Sequence, residues 1–135
     1  MKAAAKLLAL IPLAVVLFLG NAYGSMSFAG LLFPRVVPRP YIEMVSAAAV
    51  GALIGSLLVA YPLARLFPSR YLVAALAVSA PLMALRLSDL LNYANTDHVA
   101  IITMSAIEFV FVPVGAAIVT WLFAKFFPRA SPHVA

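Results

Sequence analysis

The sequence contains no cysteine, which excludes disulfides, thiolate metal sites and cysteine nucleophiles. It is poor in charge: only 10% of its 135 residues are Asp, Glu, Lys or Arg, and four of them are acidic. Its two histidines, His98 and His133, are distant from each other and lack the carboxylate spacing of a metal site. It lacks nucleophile-elbow, zinc-helix, phosphate-loop and dinucleotide-binding motifs, and no serine can be matched with a histidine and an acid at a common depth. These absences leave enzymatic chemistry, cofactors and metals without support, so a non-enzymatic protein is expected. The formal charge of +5 and the pI near 10.0 do not reverse this. The basic residues stand singly between apolar blocks, and no stretch interleaves clustered basics with aromatics as nucleic-acid binding would require.

What the chain has in quantity is apolar sequence. It is 66% hydrophobic with a mean hydropathy of +1.12, the composition of a polytopic membrane protein. Four apolar blocks take up almost its whole length, leaving no room for a separate soluble domain. The reading is an all-α integral membrane protein, a single domain over 1–135 built as a bundle of four transmembrane helices. The spans are expected at about 7–23, 41–66, 71–87 and 99–127.

Each block has its punctuation. Lys2 and Lys6 precede the first, which also resembles a secretory signal peptide with small residues at Ala22-Tyr23-Gly24. The weaker run from Phe28 to Phe33 either extends this helix or forms a short interfacial one. Pro34, Pro38 and Pro40 then impose an extended connection. Pro40 suits the start of the second helix, and Pro62 falls near its end. Ser69 is the expected N-cap of the third helix, and Asn95-Thr96-Asp97 supply cap candidates for the fourth. Beyond Leu87 the third block continues with Leu87, Leu90, Leu91 and Ala94 on one face and Ser88, Asp89 and Asn92 on the other. This predicts a short interfacial helix extension after the third span. Pro81, with Ser79 nearby, and Pro113 mark expected kinks.

The charges orient the bundle. With the N-terminus inside, Lys2, Lys6, Arg65, Arg70, Lys125 and Arg129 are cytoplasmic, and Arg35, Arg39 and Arg86 are outside. That excess predicts cytoplasmic N- and C-termini. Trp121 then falls near the cytoplasmic boundary.

Three features are candidates for function. Glu108 is the sole acid within the run from Val99 to Phe127, about 15 Å along its helix from the outer end. An acid at that depth is costly and marks either an ionisable proton or cation site or an interhelical hydrogen bond. Ser105 lies one turn away on the same face. Glu43, Arg86, Asp89 and Asn92 form an expected polar cluster at the outer mouth, with Arg86 and Asp89 spaced to pair on one helix. Gly51 and Gly55, extended upstream by Ala47, make a small-residue stripe for close helix packing, and Gly20 and Gly24 repeat the spacing in the first block.

The expected partners are the lipid bilayer and another membrane protein or a second copy of this chain. The leading expectation is a small inner-membrane accessory subunit or protective (immunity-type) protein of bacterial style. The alternative is a small oligomeric transporter or channel using Glu108.

Overall fold

A computed structural model describes residues 3–32 and 41–127. Among them there is helix and no strand. The elements are α1 (Ala3–Leu8), α2 (Leu10–Leu32), α3 (Tyr41–Leu66), α4 (Tyr71–Tyr93) and α5 (Val99–Phe126). Four helices are long and apolar enough to cross a membrane: Ala4–Leu31, which joins α1 and α2, Tyr41–Leu66, Tyr71–Tyr93 and Val99–Phe126. Pro34, Pro38, Pro40, Arg35, Arg39, Lys2, Arg129 and His133 lie outside the described residues.

The middle spans show why apolar length governs here. In a bilayer every backbone group needs an internal partner, and an uninterrupted helix supplies it. The proline-containing helices continue through Pro62, Pro81 and Pro113. Each proline lacks the N–H that would bond four residues back, so the carbonyls of Leu58, Ala77 and Phe109 lose that partner. Ser79 does not meet this need: its Oγ donates to Ala75 O at 2.8 Å, two residues before the carbonyl that Pro81 frees. Ser56 makes the same kind of bond to Ala52 O at 2.7 Å.

The first span is longer than the apolar run suggests. α2 passes through Gly20, Gly24 and Ser25 without a break and ends at Leu32, so the stretch from Phe28 extends the helix. α4 likewise runs unbroken from the membrane-length block to Tyr93. The caps also differ from expectation. Arg70, not Ser69, is the N-cap of α4, and His98, beyond the Asn95–Asp97 stretch, is that of α5; neither makes a side-chain cap bond. Thr96 looks backwards instead, donating from Oγ1 to Tyr93 O at 2.8 Å, because the carbonyls ending α4 need partners as much as the amides opening α5.

α3 is the central element. It packs along both α2 and α5, and α5 packs along α4, while α4 meets the first span more thinly. The core that results is built from small and medium side chains: Leu17, Ala52, Val59, Leu63, Ala74, Ala75, Val78, Leu82, Val112 and Ala116. The α2–α3 seam is the closest. A Cβ added at Gly20 would stand 3.0 Å from Gly55 Cα, one at Gly24 3.2 Å from Gly51 Cα, and one at Gly55 2.7 Å from Leu17 O. At Gly51 it would collide with Ser25 Oγ and Asn21 O. The four glycines thus face each other within one chain, and Ala47 is buried above them. Close backbone approach of this kind gains dispersion contact that larger side chains would prevent.

Candidate functional site

The buried residues of α5 are Ser105, Glu108, Val112, Pro113, Ala116, Val119 and Thr120. Steps of three and four residues from Ser105 through Glu108, Val112 and Ala116 to Val119 keep one face towards the bundle. Glu108 is 2% exposed, so its carboxylate is withdrawn from lipid. Arg86 of α4 reaches it: Nε donates to Glu108 Oε2 in an ion pair across the α4–α5 seam. The same guanidinium donates from Nη1 to Asp89 Oδ2 at 2.9 Å, one turn further along α4. Ser105 Oγ approaches Asp89 Oδ2 at 3.4 Å, a long contact that brings the α5 hydroxyl towards the same carboxylate.

Four of the polar residues singled out in the sequence therefore meet, in a grouping that differs from the expected one. Glu108, Ser105, Arg86 and Asp89 form one network between α4 and α5. Glu43 and Asn92 are not in it. Asn92 is exposed and donates to Ser88 Oγ at 3.3 Å on its own helix. Glu43 is buried at 3% exposure in the first turn of α3, beside a small cavity lined by residues of α2, α3 and α5. The physical reason is rotation: Glu43 lies on the α3 face that continues through Ala47 and Gly51, which packs against α2, so it cannot turn to α4.

Depth explains how the network closes. Arg86 lies about 10 Å from the C-terminal end of α4 and Glu108 about 15 Å from the N-terminal end of α5, at 1.5 Å per residue. The long arginine side chain spans the difference. It would ordinarily extend towards the interface, and here it turns to a buried carboxylate, because an unpaired acid in hydrocarbon costs more than the lost hydration of a partly open guanidinium. The Arg86 and Asp89 side chains keep 29% and 33% exposure, so the network is sealed at Glu108 and open at its other edge.

Two acids and one arginine carry a net formal charge of −1. Chemically the arrangement can clamp α4 to α5. Polar groups elsewhere are less well satisfied: Asn21 Oδ1, Ser25 Oγ, Glu43 Oε2 and Thr120 Oγ1 are buried without a hydrogen-bond partner among the described residues. No sequence signal pointed to Asn21, Ser25 or Thr120, since single polar residues in an apolar run do not reveal the side they face.

No protein-family model, curated protein or solved structure matches this chain.

Proposed function

We propose that this chain is a small, non-enzymatic, multi-pass protein of a bacterial inner membrane. It acts as an accessory or protective subunit through contacts of its helices with a second membrane protein. The observation that carries the reading is the Arg86–Glu108 ion pair. The one acid in the long apolar run of α5 is engaged as a clamp between two helices, which is what a structural role requires. Nearly all the described chain is transmembrane helix, so a partner is met on the helix surfaces. The glycine faces of α2 and α3 are used within the chain, which leaves the outward apolar faces for the partner. In this reading both termini are cytoplasmic, and the end of α4 beyond Leu87 emerges in the outer interface with Ser88 and Asn92 towards water.

The test is photo-crosslinking from outward positions such as Leu57 and Leu76, both about half exposed, in native membranes. A discrete heterologous product supports the reading; a homo-oligomer ladder or lipid adducts alone count against it.

A second reading is a small transporter or channel in which the same network handles a proton or cation. One observation favours it: a single guanidinium faces two carboxylates, and its edge is open. Flux through reconstituted protein separates the two.

A further inference from the structure

At the end of the bundle where α3 and α5 begin, a cavity of about 120 Å³ opens between α2, α3 and α5. Its lining is Ser25, Met26, Ala29, Glu43, Met44, Ala47 and Met104. The chain has five methionines, and three of them line this cavity, one from each of three helices. Glu43 Oε2 and Ser25 Oγ are both buried without a partner among the described residues, on side chains belonging to residues 3% and 9% exposed.

Methionine often fills irregular gaps, and packing alone could gather three of them. It would not place a carboxylate among them. An unpartnered carboxylate oxygen in so apolar a lining is costly, and the dipole of the first turn of α3 offsets only a small part of that cost. A cation in the cavity would offset much more. Thioether sulfur is a soft donor that favours Cu(I) and binds hard ions such as Na⁺ or Mg²⁺ poorly. Three thioethers with one carboxylate match a soft monovalent ion in both donor type and charge. Met26 is 70% exposed, which gives an ion a way in from the bundle surface, while Met44 and Met104 are half-buried.

We propose that this cavity binds a soft monovalent metal ion, Cu(I) or its analogue Ag(I), through Met26, Met44 and Met104, with Glu43 supplying the balancing charge. The inference is independent of the Arg86–Glu108 network, which lies on the α4 side of α5.

The experiment titrates the purified full chain in detergent, under reducing conditions, against Cu(I) held by a chromophoric chelator. The wild type withdraws one Cu(I) per chain. Met44→Leu and Met104→Leu each weaken binding by about tenfold or more, and Glu43→Gln weakens it as well. Leucine keeps methionine's volume, so the folds should survive; thermal unfolding of each variant checks this. Met83→Leu, in α4 and away from the cavity, leaves binding unchanged. Failure of the wild type to withdraw the metal, or an equal loss in Met83→Leu, overturns the proposal. If a cavity variant does not fold, the X-ray absorption spectrum of the copper-loaded wild type decides. Sulfur neighbours support the site, and a shell of oxygen and nitrogen alone overturns it.

Discussion

Arg86 and Glu108, 22 residues apart in sequence, are joined across α4 and α5 by an Nε–Oε2 ion pair, and the same guanidinium holds Asp89 on its own helix at 2.9 Å. The link converts the costliest residue of a long apolar run into a cross-brace between the last two spans.

The brace gives the first prediction. Glu108→Ala removes the acceptor and leaves Arg86 with Asp89 alone, at a cost of about 1–2 kcal/mol, the upper range for polar contacts between membrane helices. A double-mutant cycle over Arg86→Ala and Glu108→Ala, read from unfolding in detergent, should return a coupling of about 1 kcal/mol. Additive effects would show that the pair contributes nothing to stability.

The helix seam gives a second. Gly51→Leu should lower the melting temperature strongly, because even a Cβ there meets Ser25 and Asn21 O. Gly30→Leu is the matched control, since a Cβ at Gly30 meets nothing within 4 Å, and should be close to neutral. Equal melting of both variants would dissolve the α2–α3 contact as described.

Asn92 provides a third. It stands outside the network, on an exposed surface with one long bond to Ser88, so Asn92→Ala should stay within about 0.5 kcal/mol of wild type. Asp89→Ala, which unpairs one arm of Arg86, should cost more. Comparable losses for the two would restore Asn92 to the site.

A fourth concerns orientation. A reporter active only outside the cytoplasm, fused after Ala135, should give no signal if the basic excess sets the topology. A strong signal would invert the bundle.

Much of the architecture was legible because long apolar runs have few alternatives in a bilayer. The second span emerges at Tyr41–Leu66 as read, since Pro40 and Pro68 bracket it. The first was read as ending near Tyr23, with the run from Phe28 either extending it or forming a separate interfacial helix; within α2, Gly20, Gly24 and Ser25 are the face that admits α3. Arg86–Asp89 was legible from three-residue spacing on one helix. Arg86–Glu108 was not, since it depends on how α4 rotates against α5 and on an arginine reaching inwards rather than to the interface. The convergence of Met26, Met44 and Met104 was hidden for a similar reason: three unremarkable residues in three runs come to line one cavity only through packing.

The measurement that bears most directly on Glu108 combines stability and flux for the wild type, Glu108→Gln and Glu108→Ala in the same liposomes. A structural clamp predicts no proton or cation flux from the wild type, near-native melting for Gln, which keeps shape and hydrogen bonding, and a clear loss for Ala. Flux carried by the wild type and abolished in a well-folded Glu108→Gln variant would contradict the clamp and establish the network as a transport site.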